Sequence, residues 1–266
     1  MENITNPRVE LFKQAQVITS DSELMFTVTK PDPEFFRENQ GGCSDGKKYY
    51  YQSFMHRDRE SNEENNVCRI GKIDMETGEV VKWSEDFHTL NHCNDFAYNS
   101  NKNMFVVCHN NPNKHRVTLI DADSLKQIDS FDIEPRMYSL DYNAKRDLYV
   151  AGLSGGQNLM LLDSNFKPLE NGFIAATEKT AGYVTQGICS DDDLIYCSLF
   201  DAKGFRAKDI HGAITVYDWD RNFVGILEYD IGYREPENLS VINNELYLCA
   251  GNKGAGYFKL TPKLKD

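Results

Sequence analysis

The sequence predicts an all-β chain folded as a five-bladed β-propeller. A hairpin pattern recurs five times, four of the hairpins lead into a third strand that ends in Asp, and one strand near the N-terminus has a partner only in the incomplete last unit. Each hairpin pairs an alternating apolar strand with an aromatic and β-branched one across a turn rich in Asp, Asn and Lys. The five run over 40–54, 94–108, 138–152, 186–200 and 237–251, with starts 54, 44, 48 and 51 residues apart.

The third strands, 68–74, 116–121, 158–163 and 213–218, are followed by METGE, ADSLK, SNFK and WDRN, turns whose polar residues suit a return strand. The fifth unit has a third strand at 256–260 and no fourth. Residues 25–29 stand alone before the first unit and are expected to complete the last one, which removes an exposed sheet edge. Residues 9–18 read equally well as strand or short helix. On this scheme 1–266 is one domain of four-stranded blades.

Composition limits the function classes. With 40% hydrophobic residues in 266 the chain has material for a packed core. Its 29 basic and 41 acidic residues give a charge of -12, without a basic cluster, which argues against nucleic acid and anionic membrane as partners. No window is long and apolar enough to span a bilayer, and the N-terminus lacks a secretory pattern. The seven cysteines form no C-x-x-C and sit mostly in apolar runs, as expected of buried thiols in a cytoplasmic protein.

In a propeller the loops between second and third strands, and those between blades, share one face. All six histidines (56, 88, 92, 109, 115 and 211) fall in those loops, and that face is expected to carry function. The first strands line the axis. Their aligned residues form one ring of Gln40, Asn94, Tyr138, Gln186 and Glu237, and residues two positions earlier form a second of Glu38, His92, Arg136, Val184 and Glu235. Glu38, Glu235 and Glu237 place part of the net negative charge at the channel mouth, where a cationic or metal-bound ligand would be favoured.

Such polar rings suit a small polar ligand or peptide terminus better than a dry core. Several readings stand side by side. His92 with Glu235 or Glu237 suits acid and base catalysis. Glu38 and Asp95, with His92 and a further glutamate, suit a divalent cation. Arg136 suits a carboxylate or phosphate clamp, and Gln40, Asn94, Tyr138 and Gln186 suit substrate orientation. Mutual pairing that holds the blades in register, in a ligand-binding or scaffold propeller without turnover, is the competing reading. The mixed-charge stretch 57–66 is a loop that could cover the mouth.

The unit GKIDMETGEV (71–80) resembles the NHL and YVTN propeller repeats, a likeness that implies fold and not activity. The stretch Val184-Thr185-Gln186-Gly187-Ile188, with Asn39-Gln40-Gly41-Gly42 at the equivalent place, is similar to the plant-type glutaminyl cyclases. That resemblance implies a carboxylate acting as acid and base, here Glu235 or Glu237, while an N-terminal glutamine closes to pyroglutamate near a bound metal. His92-Cys93-Asn94-Asp95 and Glu235-Pro236-Glu237-Asn238 resemble the His-Gly-Asn-Asp and Glu-x-Glu-Asn stretches of uncharacterised Gram-positive propellers, with Cys93 in place of Gly.

Overall fold

The computed structural model describes residues 6–61, 64–110, 113–201, 203, 212–232, 234–251 and 255–265. Helix α1 (Pro7–Gln14) settles the ambiguous N-terminal stretch. Asn6 caps it by accepting the Arg8 amide at 3.1 Å, and proline occupies its first turn. Strand β1 (Val17–Val28) follows.

The next strands come in groups of four. The first is β2 (Glu38–Ser44), β3 (Tyr49–His56), β4 (Val67–Asp74) and β5 (Val80–Trp83). The second is β6 (Asp95–Asn99), β7 (Met104–Cys108), β8 (Arg116–Asp121) and β9 (Gln127–Asp132). The third is β10 (Met137–Asn143), β11 (Leu148–Leu153), β12 (Leu159–Asp163) and β13 (Pro168–Ile174). Then come β14 (Tyr183–Ser190), β15 (Leu194–Asp201), β16 (Gly212–Asp218) and β17 (Phe223–Tyr229), and finally β18 (Pro236–Ile242), β19 (Glu245–Ala250) and β20 (Ala255–Lys263).

Among the described residues the first three groups form separate four-stranded antiparallel sheets. The fourth and fifth join through β1 into an eight-stranded sheet. There β1 lies antiparallel to β20, from Thr19 opposite Lys263 to Val28 opposite Ala255, and its first residues run parallel to β17. The closing strand is therefore longer than the expected 25–29, and it begins at Val17 and ends at Val28.

The Asp that ends each third strand shapes the turn after it. Asp74, Asp121, Asp163 and Asp218 accept the backbone amides of Glu76, Ser124, Asn165 and Asn222 at 2.7–2.9 Å. Gly78, Leu125, Phe166 and Arg221 in those turns adopt positive φ.

The first strands close a cycle, with β2 beside β6, β6 beside β10, β10 beside β14, β14 beside β18 and β18 beside β2. Apolar clusters fill the spaces between consecutive groups. Tyr51, Met55 and Ile70 pack on Phe96, Phe105 and Val107 between the first two, and Ile242, Cys249 and Tyr257 pack on Tyr50, Phe54 and Ile73 between the last and the first. All-β meanders around a ring of inner strands make the architecture propeller-like. No described helix is long and apolar enough to cross a membrane, and all seven cysteines are buried free thiols.

Candidate functional site

At the N-terminal ends of the inner strands lies a cavity of about 760 Å³. Its lining includes Gln40, Asn94, Tyr138 and Gln186, together with Glu38, His92, Val184, Glu235 and Glu237. Both rings expected from the alignment therefore meet here, except for Arg136, which is exposed and does not line the cavity.

The ring residues reach the cavity through breaks in the strand ladders. Pairing skips Gln40 and Gly41 between Asn39 and Gly42, Tyr138 between Met137 and Ser139, Gln186 and Gly187 between Thr185 and Ile188, and Glu237 between Pro236 and Asn238. A bulge adds an unpaired residue and re-aims its side chain, so four inner strands present a polar group to the axis at the same level. The glycines of the two Gln-Gly pairs serve close packing. A Cβ on Gly41 would stand 2.2 Å from the Asp95 Cα, and one on Gly187 2.6 Å from the Asn238 Cα.

In place of Arg136 the guanidinium of Arg57 stands at the mouth, 3.2 and 3.3 Å from the two ring nitrogens of His92 and 3.4 Å from Glu38 Oε2. Arg59 adds a 3.8 Å contact to Glu38. Glu235 accepts the Gln186 side-chain amide at 2.9 Å. Asn94 donates its amide to the Tyr138 carbonyl and accepts from Asn110 at 2.9 Å.

Glu237 is different. Loss of water pushes its carboxyl well above the usual carboxylate range, the nearby charges of Glu235 and Glu38 push it further, and Arg57 and Lys30 only partly oppose this. Its side chain lies against Gly251, where a Cβ would come within 2.1 Å of Glu237 Oε1. The mouth thus sets a carboxyl whose proton affinity is raised by loss of water, Glu237, in the same cavity as Glu235, an arrangement suited to acid and base chemistry.

Asp95 does not reach the mouth and does not join Glu38. It is fully buried beneath it, where it accepts the Phe96 and Leu140 amides at 2.9 and 3.1 Å and the Asn238 side-chain amide. Burial raises its carboxyl well above the usual range. Glu38 is engaged by arginines, and among the described residues no three His, Cys, Asp or Glu side chains gather as ligands. The described residues therefore do not form the divalent-cation site expected of Glu38, Asp95, His92 and a further glutamate.

Glu38, Glu235 and Glu237 line the cavity as expected, and Arg37, Arg57, Arg59 and Lys114 line it with them, so the charge at the mouth is mixed. These cations come from loops rather than from inner strands. The stretch 57–66, expected as a loop over the mouth, is the sequence signal for two of them, Arg57 and Arg59. Of the other histidines, His109 is buried, donates or accepts at Thr118 Oγ1 (2.9 Å), and is pushed down to about 4 by desolvation. His115 lies 3.3 Å from Asp132, and His211 lies outside the described residues.

Fold and cavity together define a propeller-like β protein with a polar pocket over its axis. No protein-family model matches the chain, and no curated protein matches its sequence. Solved structures do match. The glutaminyl cyclase of Myxococcus xanthus superposes with a TM-score of 0.65 at 10% identity, over 94% of this chain and 99% of that one. A DUF4221 family member from Bacteroides vulgatus superposes with a TM-score of 0.57 at 11% identity, over the same shares. At such identities the likeness concerns the fold.

Proposed function

We propose that residues 1–266 form one five-bladed propeller whose mouth performs acid and base chemistry on a small polar molecule or a peptide end. The observation that carries this reading is that Glu237, whose carboxyl is pushed well above the usual carboxylate range by loss of water, shares one polar cavity with Glu235 and His92.

Cyclisation of an N-terminal glutamine is the first reaction to test, given the fold shared with a glutaminyl cyclase. The α-amine nitrogen would bond to the side-chain amide carbon and give its proton to Glu235. Glu237 would deliver its proton to the departing nitrogen, which leaves as ammonia, and proton exchange through solvent would restore both groups. Gln40, Asn94, Tyr138 and Gln186 orient the substrate.

A second reading, ligand binding without turnover, is favoured by the contacts of Arg57 with Glu38 and His92, which set the mouth's own groups against one another. Ammonia release from glutamine-terminated peptides decides between them. Removing one acid or base group lowers such rates by roughly 10²–10⁴-fold, so Glu237→Gln and Glu235→Gln are each expected to lose at least about 100-fold. Folded variants that turn over at the parent rate would refute the assignment of roles. Binding of peptide ends by a parent protein that releases no ammonia would establish the second reading.

A further inference from the structure

The cavity has a corner that the proton-transfer groups do not use. Lys114, in the loop between β7 and β8, is half-buried there. Its ammonium donates to Ser154 Oγ at 3.1 Å, and among the described residues it has no carboxylate partner. Ser154 is held in turn, because its amide donates to the Arg136 carbonyl at 2.8 Å, and the Lys114 carbonyl accepts the Met137 amide at 2.9 Å. This backbone bracing ties the second group to the third, so the corner is fixed by the scaffold. A cation satisfied by a neutral hydroxyl inside a polar cavity retains its attraction for an anion.

Its place relative to the glutamates follows from the cycle of inner strands. Glu235 and Glu237 belong to the fifth group, whose neighbours are β14 and β2. Lys114 and Ser154 belong to the second and third groups, which lie directly across a five-membered ring from the fifth. The mouth is thereby polarised, with carboxyl groups on one side and an ammonium on the other. Arg57 and Arg59 sit beside the first group and are engaged by Glu38, which leaves Lys114, among the described residues that line the cavity, as the cation of the far side.

We infer that Lys114 and Ser154 form a carboxylate subsite, and that the ligand is a small zwitterion of dipeptide size. Its amino end would lie toward Glu235 and Glu237 and its free carboxylate on Lys114. This deepens the reading given under Proposed function and rests on it for the orientation of the amino end. A carboxylate fits better than a phosphate, because one ammonium and one hydroxyl match a monoanion. Chains that continue past the second residue would lose this contact, so the subsite selects for length.

The test is calorimetric titration of the whole protein with glutaminylglycine and with its C-terminal carboxamide. The dipeptide is expected to bind at least tenfold more tightly than the carboxamide. Lys114→Met should abolish that preference by weakening the dipeptide alone, and Lys114→Arg should keep most of it. Equal binding of the two probes to the parent protein, a preference that survives in folded Lys114→Met, or no binding of either at millimolar concentration would each overturn the subsite. Glu237→Gln separates the two proposals, because it should stop turnover and leave the carboxylate preference intact. A preference without any turnover would sink the catalytic reading alone, and turnover without a preference would sink the subsite alone.

Discussion

Asp141 offers a measurement whose sign and approximate size follow from its burial. It lies on β10 at the far end of the axis, beside a smaller cavity of about 140 Å³, and accepts the Ser190 hydroxyl at 2.6 Å. Burial pushes its carboxyl from the ordinary 3.8 up to about 7, against the lowering effect of the Ser190 hydroxyl and backbone amides. Between those values the native state holds a proton that the unfolded chain has released. The stabilisation is therefore present below the unfolded value and is lost as pH rises through about 7.

The gap between 3.8 and about 7 corresponds to about 4 kcal/mol, of which roughly 3 falls between about pH 5 and about pH 8.5. Partial solvent access at the cavity reduces this to about 2 kcal/mol or slightly more. Asn at this position has no proton to lose. The difference in unfolding free energy between Asp141→Asn and the parent, from urea titrations at the two pH values, should move by that amount in favour of the variant at the higher pH. Subtraction largely removes the titration of Asp95 and Glu237. A difference that stays constant within about 0.5 kcal/mol would refute the claim that burial holds Asp141 protonated.

Three further outcomes are expected. Gly251→Ala places a Cβ onto Glu237 Oε1, the end of a movable side chain, so unfolding should change by less than about 1 kcal/mol while turnover falls as far as in Glu237→Gln; parallel urea and ammonia-release measurements check this. Cys93 adopts φ +44° between His92 and Asn94, and both Gly and Ala would forfeit its buried thiol, so Cys93→Gly should be more stable than Cys93→Ala by about 1 kcal/mol in chemical denaturation. Arg8 is buried on Tyr196 (2.6 Å), Asn244 and Asp191 (2.8 Å), so Arg8→Met should cost about 3 kcal/mol or more by stranding the Asp191 carboxylate, a loss read from the urea midpoint.

What is legible in the sequence is periodic. Strand pairs and Asp-terminated third strands repeat at a spacing that alternation and turn chemistry reveal, the lone N-terminal strand is found as the partner the last unit lacks, and eight of the ten residues expected at the site line one cavity. The two exceptions have physical reasons. Arg136 sits two positions before Tyr138, but the ladder breaks between Met137 and Ser139, so alternation counted across that break assigns the wrong face. Asp95 directly follows a ring residue, and one step along a strand points it beneath the mouth, into a network with Asn238. Arg57 and Lys114 arrive from loops of irregular length, where no period predicts position. The Gln-Gly pairs resemble a catalytic motif, yet their glycines answer to the approach of the neighbouring inner strand.

The three mouth glutamates differ because of what each one's neighbours leave for it. Glu38 takes the guanidinium of Arg57 and a contact from Arg59. Glu235 takes the Gln186 amide. Glu237, sitting in its bulge against Gly251, makes no hydrogen bond among the described residues and receives instead the repulsion of the other two. Glu38 and Glu235 gain donors, whereas ionising Glu237 would add a negative charge where water and donors are scarce, which raises its proton affinity. Arg57 engages Glu38 and only partly offsets the rise in the Glu237 proton affinity. Glu38→Gln should accordingly turn Arg57 toward Glu237, lower that group's proton affinity, and shift the basic limb of the rate profile to lower pH. An unshifted limb in a folded Glu38→Gln variant would mean that burial alone holds the Glu237 proton.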